Sequence, residues 1–239
     1  HIDVFPARIL TWLARKPLAL DLFLSLHETV TQDRGLVAEQ SFFGKMLYVI
    51  EKVGCRLADR LFLDTEADIQ YLMRKYGLPR SKFACIRVGA DESVYFPIQD
   101  QEESGFTAIY FGKFIPLHGI EYLVAAAKHL EIDAQIRMEF IGDGQTYEAM
   151  RALADSLEAK NIIWGPRWLE PGELRTRIGR ATVCLGIFGT SDKAQRVIPT
   201  KAYVALAMGK PLITADSPAA REVFTSGKDA ILCPAGSGL

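Results

Sequence analysis

The residue that asks most directly for a chemical partner is Lys201, in the stretch Ile198–Thr214, IPTKAYVALAMGKPLIT. The pattern reads as a loop, a short helix, a sharp stop and a buried strand. Pro199 suits a helix start, where its missing N–H removes no bond. Gly209 falls where a left-handed C-terminal cap is wanted, and Pro211 prevents continuation. A lysine in the first turn faces the positive end of the helix dipole, which is unfavourable on its own. An anion such as a phosphate at that helix start removes the conflict. The segment before it, Phe188–Ile198, is long, polar and basic, and carries Gly189, Lys193 and Arg196 towards Pro199-Thr200-Lys201. Long loops without structure of their own are often functional. For Lys193 the plainer reading is a solvated charge run.

Three further loops follow strand-like runs, where ligands of α/β sheets bind. Gly112-Lys113-Phe114-Ile115-Pro116-Leu117-His118-Gly119 has glycines at both ends, which permit tight turns and close backbone approach. It reads either as a diphosphate-facing loop, with Lys113 and His118 as its polar groups, or as an ordinary turn with solvated charges. Gly142-Asp143-Gly144 is a common turn that could wall a nucleotide pocket. Gly165-Pro166-Arg167-Trp168 could hold a nucleobase through its backbone, with Arg167 beside it, while Trp164 and Trp168 each read first as packing residues. His27, in LSLHET, reads as a group facing a cleft or as a loop histidine without a chemical role. No Ser/His/Asp set, Cys/His pair, metal cluster or phosphate-binding P-loop is readable, so neither a metal nor a cofactor is expected.

The elements that must position these groups alternate. Buried parallel strands are predicted at Pro17–Ser25, Arg60–Asp64, Ala84–Val88, Thr107–Phe111, Arg137–Ile141, Asn161–Trp164, Thr182–Ile187, Pro211–Thr214 and Ala230–Cys233. Helices are predicted near Phe42–Ala58, Glu66–Tyr76, Gly119–Leu130, Gln145–Ala159, Pro171–Ile178, Thr200–Met208 and Pro218–Thr225. The alternation implies a doubly wound α/β architecture. A polar, acidic stretch across Phe96–Gly105 marks a boundary, giving parts 1–98 and 99–239. The first part has too few strands for a complete Rossmann-like domain, so upstream units are expected to be missing, and the ending PAGSGL reads as clipped.

Composition narrows the field. The 239 residues are 49% hydrophobic and 24% charged, as in a globular protein with a real core. A net charge of -1 gives no support for a nucleic-acid partner. Cys55, Cys85, Cys184 and Cys233 are far apart and read as buried thiols in a reducing cytosol. The opening IDVF reads as a strand. The apolar Arg8–Leu26 is broken by Lys16-Pro17, so a helix and a buried strand are expected rather than a membrane anchor, with Trp12, Arg8 and Arg15 as a candidate peripheral membrane contact.

Taken as an ensemble, YFGKFIPLHGIEYLVAA, FIGDG, NIIWGPRW and IPTKAYVALAMGKPLITADSPAAREVF resemble the group 1 (family 4) retaining glycosyltransferases. RLADRLFLDTEADIQYL and IRVGADESVYFP are similar to the end of that family's first domain. The resemblance implies a GT-B fold, two facing Rossmann-like domains, the first incomplete here: an acceptor domain and a domain for the nucleotide-sugar donor. It implies transfer of a sugar, with retention, from a UDP- or GDP-sugar to a glycan or lipid-linked acceptor, in the cytoplasm or at the inner face of the membrane. Gly112-Lys113 and His118-Gly119 match the family's diphosphate-holding positions, and Gly165–Trp168 its base-binding loop. Lys113 and Lys201 would stabilise the leaving diphosphate, with Gly112, His118, Gly142, Gly144, Gly165, Arg167, Gly189, Arg196, Pro199 and Thr200 around the donor; beside the resemblance, the cleft-facing reading of His27 makes it a third catalytic candidate with the two lysines. His118 carries charge only when protonated. The family's ribose-binding glutamate has no counterpart, because Val204 stands in its place and cannot accept a hydrogen bond. The alternatives are a nucleotide-sugar-binding fragment or inactive homologue, and a GT-B epimerase.

Overall fold

The computed structural model describes residues 2–23, 25–98 and 105–236, with the side chain of Asp33 left out. His1, Leu24, most of the acidic boundary stretch (99–104) and the last three residues of the closing PAGSGL lie outside the described residues. The chain forms two compact units, His1–Arg87 and Val88–Leu239.

In the first unit the order is α1 (Val4–Leu13), β1 (Ala19–Asp21), α2 (Leu26–Glu28), α3 (Phe42–Leu57), β2 (Arg60–Leu63), α4 (Glu66–Tyr76) and β3 (Phe83–Cys85). A π-type turn, Thr29–Asp33, extends α2. The opening is therefore a helix and not the strand that IDVF suggests. Pro6 explains the change: it falls in the first turn, where no backbone N–H has a helical partner, and the good helix formers Ala7, Arg8 and Leu10 follow. The three strands are parallel in the order β1-β2-β3. β1 and β3 are shorter than the apolar runs implied because β2 is itself short, and Leu22 and Ile86 only extend the pairing by single bonds to Phe62 and Leu63. Leu22, Cys55, Leu61, Leu63, Ile69, Leu72, Tyr76 and Phe83 form the core. α4 carries every local signal: the Thr65 side chain accepts from the Asp68 N–H, acids open the first turn, Arg74 and Lys75 close the last, and Gly77 stops it at φ 65°.

The second unit holds β4 (Phe106–Phe111), α5 (Ile120–Leu130), β5 (Ile136–Ile141), α6 (Tyr147–Ser156), β6 (Ile162–Trp164), α7 (Pro171–Arg180), β7 (Val183–Leu185), α8 (Thr200–Ala207), β8 (Leu212–Ala215), α9 (Pro218–Arg221) and β9 (Ile231–Cys233). Its strands are all parallel in the order β6-β5-β4-β7-β8-β9. This is the doubly wound order, and its direction reverses between β4 and β7. Residues 88–98 pack on this unit, so the compact units divide at Arg87/Val88 rather than near residue 98. Ile98 fills the space over Gly179, Pro97 lies against Gly209, and Arg175 donates to the Val94 carbonyl (3.3 Å) and stacks on Phe96. Tyr110, Phe114, Phe140, Tyr147 and Trp164 pack ring on ring in the core, so Trp164 is a packing residue. Among the described residues, no helix is long and apolar enough to cross a membrane.

Candidate functional site

The strand order fixes where to look. A ligand of a doubly wound sheet binds beyond the carboxyl ends of the strands at the reversal, which here are β4 and β7. The loops leaving them are 112–119 and 186–199.

β4 ends at Gly112, with φ 130°, and the loop closes through a short 3-10 turn, Pro116–His118, into Gly119 and α5. The first two loops touch: Gly142, φ 131°, lies so close to the Gly112 carbonyl that a side chain there would collide with it. The Gly142 N–H donates to the Pro166 carbonyl (3.1 Å), which ties in the third loop. Phe188 donates its N–H to the His118 carbonyl (2.9 Å), and Gly119 abuts the backbone of Gly189, which ties in the fourth. Four strand ends thus converge through close backbone packing.

At that convergence lies Lys201, in the first turn of α8 and 7% exposed. Its ammonium sits 3.7 Å from the centre of the Tyr110 ring and 3.5 Å from His118 Nδ1. A Cβ on Gly112 would lie 3.3 Å from Lys201 Cε, so the glycine leaves room for the lysine stem. Among the described residues no carboxylate lies within ion-pair distance of Lys201. Burial pushes its pKa well below the ordinary lysine value. His118 is 9% exposed, and its Nδ1, the Tyr110 hydroxyl and the Lys113 carbonyl form a triangle with sides of 2.6 to 2.7 Å. Burial first, and Lys201 second, lower the His118 pKa to about 3. The imidazole is therefore neutral at neutral pH and adds no cation.

The other expected residues are placed as follows. The Lys113 side chain is exposed, while its carbonyl anchors the triangle. Arg167 lies outside the cluster around Lys201: it is exposed, stacks 4.2 Å from the Tyr147 ring centre and pairs with Asp143 (3.4 Å) and Glu148. Gly144 is held next to the Phe114 backbone, and Gly165 donates its N–H to the Phe140 carbonyl. Arg196 is 5% exposed, with its Nε 3.1 Å from Asp192. Pro199 is the N-cap of α8 and Thr200, exposed, its first residue. Val204 is buried on the same helix. Tyr110, which floors the site, went unnoticed in the sequence. Its signal was available: a tyrosine near the end of a buried strand needs a partner for its hydroxyl.

His27 belongs to the first unit, in α2 rather than in a loop, and is 1% exposed. Its N–H donates to Glu51 Oε2 (2.9 Å), and Glu51 Oε1 accepts from Ser25 and Tyr76 hydroxyls, both at 2.7 Å. Lys75 lies 3.2 Å from His27 Nδ1 and 3.3 Å from Glu28, over the Tyr71 and Tyr76 rings. Burial and then Lys75 lower the His27 pKa. The imidazole is neutral, with Nδ1 accepting from the ammonium and Nε2 carrying the hydrogen. Glu51 was also missed. The clue is that it is the sole acid of α3 and shares the buried face with Gly44, Gly54 and Cys55. Among the described residues no three His, Cys, Asp or Glu are grouped to hold a metal.

The family model described as Glycosyl transferases group 1 matches residues 105–238. The chain belongs to that family. Among curated proteins, none matches the sequence. Among solved structures, this group 1 chain is similar to Anabaena HepE in complex with UDP-glucose, at 15% identity and TM-score 0.76, over 98% of this chain and 63% of that one. It is similar to a mutant of S. aureus TarM in complex with Fondaparinux, alpha-GlcNAc-glycerol and UDP, at 10% identity and TM-score 0.73, over 99% of this chain and 44% of that one. It is also similar to the pneumococcal O-GlcNAc transferase GtfA in complex with UDP and GlcNAc, at 18% identity and TM-score 0.68, over 93% of this chain and 42% of that one. These likenesses carry the fold, the GT-B architecture of two parallel-sheet units. The group 1 chain spans less than two thirds of the length of each of these structures.

Proposed function

We propose that this chain is part of a glycosyltransferase and binds the diphosphate of a UDP- or GDP-sugar at the converging loops of its second unit. The observation that carries the reading is Lys201: a buried ammonium at a helix start, at the sheet's reversal point, with no carboxylate among the described residues to balance it. A buried cation without a counter-charge is costly, and a diphosphate supplies that charge. Structures of UDP and UDP-glucose complexes among the similar folds support the donor class. In this reading the first unit, His1–Arg87, is the remainder of the acceptor domain and the second, Val88–Leu239, the donor domain. Gly112, Gly142, Gly144, Gly165 and Gly189 give backbone access to the donor, and Arg167, Arg196, Pro199 and Thr200 flank it.

In the reaction the C1–oxygen bond of the donor breaks and a bond from C1 to an acceptor hydroxyl oxygen forms. The acceptor's proton passes to the departing phosphate oxygen, and configuration is retained. Negative charge develops on the diphosphate, where Lys201, exposed Lys113 and the α8 N–H groups stabilise it. His118, neutral, positions the Lys113 carbonyl and offers hydrogen bonding rather than charge. His27, held by Lys75 and Glu51 with its Nε2 4.0 Å from Glu39, belongs to the acceptor side. The acceptor is a glycan or a lipid-linked glycan, and the protein works in the cytoplasm or at the inner membrane face. Neither metal nor cofactor enters the scheme.

Val204 favours one other reading, a nucleotide-sugar binder without transfer, since ribose loses its expected carboxylate. A thermal-shift panel of UDP, GDP, ADP and their sugars tests the donor site. Stabilisation by a uridine or guanosine diphosphate is expected, and stabilisation by none of them removes the proposal. Release of nucleoside diphosphate by the full-length protein with acceptor then separates transferase from binder.

A further inference from the structure

The backbone of His118 is fixed on both sides of its ring. Its N–H donates to the Ile115 carbonyl (3.0 Å), and its carbonyl accepts from the Phe188 N–H (2.9 Å). Its Nδ1 faces three atoms: the Tyr110 hydroxyl and the Lys113 carbonyl, each at 2.7 Å, and the Lys201 ammonium at 3.5 Å. The hydroxyl donates to the same carbonyl at 2.6 Å. A carbonyl oxygen only accepts. A lone pair on Nδ1 would therefore set two acceptors 2.7 Å apart with no hydrogen between them. With the hydrogen on Nδ1, the Lys113 carbonyl accepts from the imidazole and the phenol together, as its two lone pairs allow. Burial and Lys201 keep a second proton off the ring. The hydrogen-bond network thus assigns the Nδ1–H tautomer, and the lone pair falls on Nε2. His27 is the reverse case, its Nδ1 accepting from Lys75.

That lone pair is unused. None of the described residues donates to His118 Nε2. Nor is Nε2 one of the side-chain polar atoms sealed from solvent without a partner, so a ligand can reach it. A neutral acceptor is ill matched to a phosphate oxygen, which is an acceptor too. It matches a hydroxyl. The site is short of a hydroxyl-binding group, because Val204, three residues along α8 from Lys201, is buried and apolar.

We propose that His118 accepts a hydrogen bond at Nε2 from a hydroxyl of the nucleotide sugar, on the ribose or on the transferred sugar. This role rests on the donor-site reading. It moves His118 from the charged diphosphate to the neutral, hydroxyl-bearing part of the donor, and supplies an acceptor that Val204 does not.

The test pairs two substitutions that keep opposite halves of the imidazole. His118→Asn retains a donor for the Lys113 carbonyl and removes the outer acceptor. His118→Gln sets an acceptor where Nε2 was and removes the Nδ1–H. Calorimetry compares UDP and GDP, their 2′-deoxy and 3′-deoxy forms, UDP-glucose and GDP-glucose. His118→Asn should weaken nucleotide-sugar binding about threefold to tenfold, the worth of one neutral hydrogen bond, with an unchanged melting curve. His118→Gln should weaken it less. A loss shared by the plain diphosphate and absent with one deoxy form assigns the ribose. A loss confined to the nucleotide sugars assigns the transferred sugar. Nitrogen-15 spectra of the histidine-labelled wild type, free and with nucleotide sugar, should show hydrogen on Nδ1 of His118 and none on Nε2, a readout that needs no variant. Undiminished binding by His118→Asn with weaker binding by His118→Gln overturns the proposal, as that is the pattern of a purely structural triangle. So does an Nε2–H tautomer, or an imidazolium in the complex. Failure of the wild type to bind any of these ligands instead removes the donor-site reading, and this role with it.

Discussion

Two lysines, the largely buried Lys75 of the first unit and the buried Lys201 of the second, are treated in opposite ways. Lys75 has its counter-charge built in: Glu28 at 3.3 Å, with His27 and two tyrosine rings completing the cage. Lys201 has the ring and the histidine but no carboxylate among the described residues, and its pKa is driven down by burial alone. The first arrangement is saturated and holds a unit together. The second is left open, as expected of a site whose missing charge arrives with a ligand. A buried cation is thus a poor sign of function by itself; the absence of its partner is the informative part.

The comparison can be broken from either side. The largest effect is expected in the saturated cluster. Glu51→Ala strands the Ser25 and Tyr76 hydroxyls and the His27 N–H, and should cost about 3–5 kcal/mol in urea unfolding. A loss below about 1 kcal/mol would mean the network is not structural. Next comes the loop packing around Lys201. Gly142→Ala combines a positive φ with a collision against the Gly112 carbonyl, and should cost about 2 kcal/mol or more. It should also weaken donor binding, because both loops must shift.

The smallest effect, read per pH unit, is a pH dependence. His118 has a folded pKa of about 3 against an ordinary 6.5, so the unfolded chain binds the proton first. Stability is therefore full above about pH 6.5 and is lost as pH falls towards 3, with a slope of up to about 1.4 kcal/mol per pH unit. His118→Gln should flatten that limb of the unfolding midpoint against pH. An unchanged slope would show that His118 is accessible to protons in the fold.

The sequence disclosed the loops better than the side chains that line them. Glu66–Tyr76 was readable to the residue because its caps and charges are local. Gly112, Gly142 and Pro199 announced tight turns and a helix start for the same reason. The inward turn of His118, Tyr110 beneath Lys201 and the burial of Glu51 depend on chain segments that meet only in three dimensions. A histidine at position 118 gives no local hint that it will be neutral. The opening IDVF misled because a short apolar run has no period of its own, and Pro6 decided it through a helix-start preference. The unit boundary came earlier than the polar stretch implied, since Val94, Phe96, Pro97 and Ile98 pack on the second unit.

The most direct test of the open-cation account is a calorimetric comparison of uridine, UDP and UDP-glucose binding to the wild type and to Lys201→Met. The account predicts that the variant is at least as stable as the wild type, since it removes an unbalanced buried cation. It predicts that UDP and UDP-glucose lose tenfold or more in affinity, about 1.4 kcal/mol, while uridine is little changed. With wild type, nucleotide-sugar affinity should also fall as pH rises towards the ordinary lysine value of 10.5, because a neutral Lys201 must take up a proton to meet the diphosphate. Equal losses for uridine and UDP, or undiminished UDP binding in Lys201→Met, would contradict it.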